Sequence, residues 1–425
     1  NIWDIFCKDG GHIYENQTGD VACDQYHRYK EDVQIMKEMG MKAYRFSLSW
    51  ARIMPEGTGA VNEKGLEYYD NLINELLDNG IEPFVTLYHW DLPYALHLQG
   101  GWMNPNSPSW FYEYAKVVAE HFSDRVKNFF TINEPQCIVG LGYQTGEHAP
   151  GLKVGPSDYF RIWHNVLKAH GRAVEALREF SKQPVKISMA PCGALYVPET
   201  NKPEDIEAAR KANFSLPENS IGACSWDVAL CCDPVYLGQY PEDILKEFGQ
   251  FFPKVTDADM KLISQPLDFL GQNIYNAVTV RAGEDGKAVR VARYDGFPQT
   301  AIGWPVTPEV LYWAPKFMQE RYKKPFMITE NGMASHDWVG VDGKVHDQAR
   351  VDFMACYLGA YKRAAEDGVD LAGYFAWSVM DNFEWAYGYS QRFGLVYTDY
   401  NTQKRTWKDS AYFYKNIIET NGENL

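Results

Sequence analysis

From residue 41 onward, short apolar runs alternate with amphipathic stretches. Residues 41–50 (MKAYRFSLSW) read as a strand. Leu66, Tyr69, Ile73, Leu76 and Leu77 then follow helical spacing, and Asn79-Gly80 supplies a stop. Residues 81–90 (IEPFVTLYHW) are the next strand. Trp110, Tyr114, Val117, Val118 and Phe122 share one helical face, 127–133 is a strand, and 158–180 a helix. Four further runs, 185–190, 267–275, 326–330 and 371–377, read as strands. Helical stretches at 206–212, 308–321, 348–366 and 409–419 accompany them. Repeated strand–helix units imply a parallel sheet. No linker rich in Pro, Gly or Ser divides the chain, so the expected architecture is a single (β/α)8 barrel over residues 1–425, with an open doubly wound sheet as the alternative. The pattern yields seven strands, one short of closure. Residues 1–26 read as loop, so the expectation is that the first strand is missing from this sequence.

Composition narrows the function classes. A 425-residue chain buries enough core to need no disulfide staples. The eight cysteines include no CxxC pair, which fits reduced thiols and a cytoplasmic protein. No secretory signal or apolar run long enough for a membrane span is visible. The net charge of −15 argues against nucleic acid or an anionic membrane as partner and suits a neutral small molecule. A homo-oligomer is the one protein partner this reading allows. His89, His121, His148, His164 and His170 show no metal-ligand spacing such as HExxH, so neither metal nor cofactor is expected, and chelation is expected to leave activity intact.

In a barrel the chemistry sits at the C-terminal ends of strands. Two such ends carry a glutamate in a turn: FFTINEP, with Glu134, and FMITENG, with Glu330. Pro135 is expected to hold Glu134 in extended backbone, and Asn331-Gly332 to end its strand just past Glu330. One isolated strand-end glutamate would be read as a surface or ion-paired residue. Two suit glycoside cleavage, which needs one carboxyl that delivers a proton and one carboxylate that attacks or activates water.

These two segments resemble the signatures of glycoside hydrolase family 1, the β-glucosidase family. The similarity extends to GDVACDQYHRYKED (19–32), YRFSLSW (44–50), FVTLYHWDLP (84–93), GEHAPG (146–151), FLGQNIY (269–275) and WSVMDNFEWAYGYSQRFGLV (377–396), in the family's order. The resemblance implies a retaining β-glucosidase acting through a covalent glycosyl-enzyme, with Glu134 as acid/base and Glu330 as nucleophile. It further implies that Arg45 and Tyr275 flank the nucleophile, that Asn133 meets the sugar 2-hydroxyl with support from Asn273, and that His89 and Trp90 meet the 3-hydroxyl. Trp377, Glu384 and Trp385 would close over the sugar, Glu384 accepting from its 4- and 6-hydroxyls. Phe393 stands where relatives acting on 6-phosphoglycosides carry a phosphate-binding tyrosine, and Glu384 would repel phosphate, so an unphosphorylated sugar is expected. Gln136 replaces the tryptophan frequent in bacterial relatives at the aglycone platform, and Trp304 in GWPVTP would supply the other platform. The family's opening strand, which bears a sugar-binding glutamine, has no counterpart here. The alternatives are a β-galactosidase, β-fucosidase or transglycosylase of the same family, or an inactive sugar-binding barrel.

Overall fold

The computed structural model describes residues 1–216 and 218–425. Seven parallel strands form its centre: β1 (Ala43–Ser47), β2 (Glu82–Tyr88), β3 (Asn128–Asn133), β4 (Lys186–Ala190), β5 (Leu270–Asn273), β6 (Phe326–Asn331) and β7 (Leu371–Ala376). All seven lie within a residue or a few of the positions read from the sequence. They hydrogen-bond in the orders β1-β2-β3-β4 and β7-β6-β5. The two arcs meet where the Asp268 N–H donates to the Ile187 carbonyl at 3.0 Å and the Asn273 N–H to the Pro191 carbonyl at 2.9 Å. Across the ring, β7 and β1 share no backbone hydrogen bond among the described residues. They face each other over a cavity of about 590 Å³ lined by Tyr44, Phe84, Tyr374 and Phe375 among others.

The connecting helices include α1 (Ile2–Lys8), α2 (Gln25–Glu38), α3 (Glu63–Asp78), α4 (Ser107–Phe122), α5 (Pro156–Phe180), α6 (Val310–Tyr322), α7 (Gln348–Glu366) and α8 (Asp409–Glu419). In α3 the apolar positions Leu66, Tyr69, Leu72, Ile73 and Leu76 are all buried. Each aliphatic side chain there contributes roughly 1.5–3 kcal/mol by leaving water. The seven strands and these helices, alternating along the chain, follow the (β/α)8 barrel plan with one strand fewer than eight among the described residues.

Two local readings are corrected. Residues 1–26 are not all loop: α1 opens the chain, capped by the Asn1 side chain, which accepts from the Trp3 and Asp4 N–H groups. A helix of two turns is too short to show a periodic pattern in sequence. The paired segments Tyr196–Pro198, Val278–Ala282 and Ala288–Arg290, outside the barrel, were also not visible as strands. They are short; Tyr196–Pro198 finds its partner only at Val278, far along the chain, and the other two pair with each other as a hairpin.

Inside the barrel, Phe130, Ala190, Phe269 and Met327 form their own apolar cluster, joined by Phe84 and Phe375. The Arg45 guanidinium lies over the Phe130 ring, 5.1 Å from its centroid. This layer is the floor on which the polar residues of the strand ends stand. Register sets their level: Asn133 pairs with Ala190, Asn273 with Glu330, and Ala376 with Asn331. Parallel strands thus deliver several polar side chains to one rim.

Candidate active site

That rim opens into a cavity of about 790 Å³. Its walls include Glu134, Glu330, His89, Trp90, Asn273, Tyr275, Trp304, Trp377, Glu384, Trp385 and Phe393. Eleven of the thirteen residues singled out from sequence therefore face one space. The other two, Arg45 and Asn133, sit directly behind the wall and connect its parts.

Glu330 is the last residue but one of β6, with a side chain 6 % exposed. Its Oε1 accepts from the Arg45 guanidinium at 2.6 Å, and its Oε2 from the Tyr275 hydroxyl at 2.7 Å. Both oxygens serve as acceptors, as an ionised carboxylate's do. The strand stops one residue later, and a Cβ on Gly332 would collide with the Trp377 carbonyl oxygen, so only glycine passes there.

Glu134 follows β3 and is also buried. Its backbone is not extended as expected: φ is +43°, in the left-handed region. Tertiary contacts hold it there. Its N–H donates to the Ala190 carbonyl at 2.8 Å, and its carbonyl accepts from the Cys137 N–H at 3.0 Å. Such a conformation costs about 1 kcal/mol or more for a residue with a Cβ, and it turns the side chain back over the barrel mouth. The carboxyl accepts from Asn273 Nδ2 at 2.8 Å and from the Cys137 thiol at 3.2 Å. Burial, then the nearby Glu330 charge, pushes its pKa up to about 7. The two glutamates thus stand in different surroundings, one beside a cation and a hydroxyl donor, the other desolvated without a charged partner.

Asn133 and Asn273 tie the pair together. Asn133 Oδ1 accepts from Arg45 at 2.7 Å and from Asn273 Nδ2 at 3.1 Å. This fixes the amide's orientation, so its Nδ2 donates to His89 Nε2 at 3.1 Å. His89 then carries its proton on Nδ1. Burial, helped by the Arg45 charge, drives the His89 pKa far down, so the ring is neutral. The Trp90 indole N–H is spent on the Asn133 carbonyl at 3.0 Å, leaving its ring face for contact.

Trp385 packs at 4.7 Å from Trp90 and 4.6 Å from Trp3, so α1 braces this wall from behind. The segment carrying Trp377, Glu384 and Trp385 is anchored by buried charges. Lys408 donates to Asp337 at 2.6 Å and to Asp381 at 2.7 Å, and Arg392 donates to Asp381 at 2.7 Å. Tyr275, Trp304 and Phe393 form an aromatic corner, with Trp304 4.9 Å from Tyr275.

Glu384 faces the cavity, and its carboxylate has no hydrogen-bond partner among the described residues. Burial, then the charges of Glu330 and Glu134, raises its pKa from 4.5 to about 8. A carboxyl whose folded pKa is raised holds its proton longer in the folded chain than in the unfolded one. The linked stability is therefore lost as pH rises from about 4.5 through about 8. Glu384→Gln is expected to raise Tm at pH 8 by roughly 1–3 °C, with the gain vanishing near pH 4. Scanning calorimetry at both pH values checks this, and an equal Tm at pH 8 would count against the raised pKa.

Gln136 lies away from the cavity. It is fully buried, and its Oε1 accepts from the Cys192 N–H at 3.3 Å. The cavity wall also contains Cys137, His148, Cys192 and Trp226, which the sequence reading did not select for the site. Cys192 sits two residues past a strand end and could have been found by the rule that found the glutamates. Cys137 is three residues after Glu134, at the start of the helical stretch Cys137–Thr145. Trp226 carries no such signal.

Residues 1–423 match the profile of Glycosyl hydrolase family 1. The chain is 46 % identical over 425 residues to β-glucosidase A of Thermotoga maritima, covering 99 % of this chain and 92 % of that protein. It is 44 % identical to β-glucosidase A of Acetivibrio thermocellus, covering 99 % and 93 %. Among solved structures, it superposes with TM-score 0.89 on a β-glucosidase from Thermotoga maritima in complex with glucoimidazole, at 46 % identity over 99 % of this chain and 93 % of the other. The match to that enzyme in complex with isofagomine lactam has TM-score 0.88, covering 99 % and 92 %.

Proposed function

The chain belongs to glycosyl hydrolase family 1, and from that premise we propose that it is a retaining β-glucosidase that removes terminal, unphosphorylated β-D-glucosyl residues from β-glucosides and cello-oligosaccharides. The observation that carries this is the pair Glu134 and Glu330, at the ends of β3 and β6 over one cavity and in opposite electrostatic surroundings. The relatives named β-glucosidase support glucose as the sugar.

Glu330 attacks the anomeric carbon while Glu134, held protonated by its raised pKa, delivers a proton to the departing oxygen. The C–O bond breaks, a glycosyl ester forms on Glu330, and Glu134 is left as a carboxylate. Glu134 then takes a proton from water, which attacks the anomeric carbon, releases Glu330, and restores the starting state. Two inversions give net retention. The 2-hydroxyl falls to Asn273 in the wall and Asn133 directly behind it, and His89 offers its Nδ1–H near the 3-hydroxyl. Glu384 has free acceptor oxygens for the 4- and 6-hydroxyls, while Trp377 and Trp385 present flat faces to sugar C–H groups. Trp304 borders the leaving-group side. Its substrate is a neutral small molecule, as the net charge of −15 allows. Among the described residues no helix is long and apolar enough to cross a membrane. All eight cysteines are free, which supports the cytoplasm as its location.

The test is proton NMR during hydrolysis of an aryl β-glucoside. β-Glucose is expected to appear first and to mutarotate afterwards. First appearance of α-glucose would overturn the retaining reading. Parallel assay of the β-galactoside is expected to give the lower kcat/KM.

Tyr275 offers a graded test of how the nucleophile is held. A hydrogen bond to a charged group is worth about 1.5–3 kcal/mol. Tyr275→Phe removes the 2.7 Å bond to Glu330 and keeps the ring. Its kcat/KM is expected to fall roughly 10- to 100-fold. A loss under twofold would mean that the hydroxyl does not steady the carboxylate.

A further inference from the structure

Two of the cavity residues that the glycosidase chemistry leaves unused are thiols, and they stand beside the acid/base. Cys137 Sγ lies 3.2 Å from Glu134 Oε2 and 4.0 Å from Cys192 Sγ. One donor atom from each of the three residues falls within 4.8 Å of the others. All three side chains are buried, yet all three border the cavity. They come from elements the barrel fixes independently: Glu134 and Cys137 follow β3, and Cys192 follows β4.

Two of the three edges come close to a coordination polyhedron, and the third, from Cys192 to Glu134, is no longer than 4.8 Å. Zinc binds thiolate sulfur at about 2.3 Å and carboxylate oxygen at about 2.0–2.2 Å in tetrahedral geometry. The edges of such a tetrahedron are about 3.7 Å between sulfurs and about 3.5 Å between sulfur and oxygen. The observed 4.0 and 3.2 Å depart from these by a few tenths of an ångström, within the reach of small side-chain rotations. Three protein ligands would leave the fourth position toward the cavity, where water or a hydroxyl can complete the shell. Soft thiolates select zinc or cadmium over magnesium or calcium.

We propose that Cys137, Cys192 and Glu134 form a binding site for a thiophilic divalent cation of the zinc class, and that the bound ion blocks turnover by occupying the Glu134 carboxylate. The ion would be a reversible inhibitor, separate from the metal-free chemistry. The blocking clause rests on Glu134 as acid/base; the binding clause does not.

Cadmium is the probe, because cadmium–thiolate bonds absorb in the ultraviolet. The reduced full chain is titrated with cadmium in chelator-free chloride buffer, alongside Cys137→Ser, Cys192→Ser and Cys356→Ser. Cys356 is exposed and serves as the control thiol. The wild type and Cys356→Ser are expected to show a band that saturates at one equivalent. Each of the other two is expected to bind at least about 10-fold more weakly. Zinc is expected to inhibit the wild type, and a chelator to restore it. Where serine disturbs folding by circular dichroism, Cys137→Ala and Cys192→Ala replace it. No saturable band in the wild type, or an undiminished band in both site variants, would overturn the site. A one-equivalent band with turnover unchanged would overturn the blocking clause alone. Because the band reads the ion and not catalysis, its failure is distinguishable from a failure of the acid/base assignment.

Discussion

Glu330→Ala is expected to lower kcat/KM on an aryl β-glucoside by roughly 10⁴-fold or more, with the fold intact by circular dichroism. A 10⁴-fold loss is about 5.4 kcal/mol of transition-state stabilisation. No neighbour can replace the attacking group. Tyr275 and Arg45 are donors directed at Glu330, and Glu134 is engaged with Asn273 and Cys137. Glu330→Gln belongs beside the alanine variant. Removing one partner of a buried pair leaves Arg45 uncompensated, at a cost of about 3–5 kcal/mol, and the amide limits the change in shape. Added azide fits the space the alanine opens, and it attacks from the nucleophile's face. The product expected is therefore the α-glucosyl azide. Retained turnover in Glu330→Ala would sink the nucleophile assignment, and a β-azide product would place the missing group on the wrong face.

The second large effect belongs to Glu134. For poor leaving groups such as cellobiose, Glu134→Ala is expected to lose roughly 10²- to 10⁴-fold in kcat/KM. For dinitrophenyl glucosides, which need little protonation, the loss should fall mainly on hydrolysis of the glycosyl-enzyme. Azide should then give the β-glucosyl azide, opposite in configuration to the product of Glu330→Ala. The pH profile separates this role from a structural one. Burial and the Glu330 charge raise the Glu134 pKa to about 7, and the proposed proton donor acts in its protonated form. Wild-type kcat/KM is thus expected to fall as pH rises through about 7. Glu134→Ala should lose that alkaline limb on activated substrates. A limb that persists unchanged would assign it to another group.

Much of the site was legible in sequence because barrel chemistry follows strand ends, and apolar runs reveal strand ends. The rule located Glu134 and Glu330, and the segments around them carried the family resemblance. It fell short where a conformation depends on distant chain. The proline after Glu134 predicts extended backbone, yet the bond to the Ala190 carbonyl on the neighbouring strand holds φ at +43°. The family resemblance puts Gln136 at the aglycone platform of the cleft. Instead it turns inward to the Cys192 backbone. Helix α1 escaped notice because two turns hold too few apolar positions to define a face. It nonetheless braces Trp385 through Trp3.

The sequence by itself determined the alternation of seven strands with amphipathic helices and the two carboxylates at strand ends. Hydrophobic period and turn residues are local signals, and they survive without the fold. Only the tertiary structure decided which groups meet. Arg45, Asn133, Asn273 and Glu330 lie on four strands and up to 285 positions apart, and parallel register brings them within hydrogen-bond reach. The same packing removes water from Glu134 and places two thiols beside it. Desolvation and proximity are properties of the assembled barrel, and they give two chemically identical glutamates opposite character.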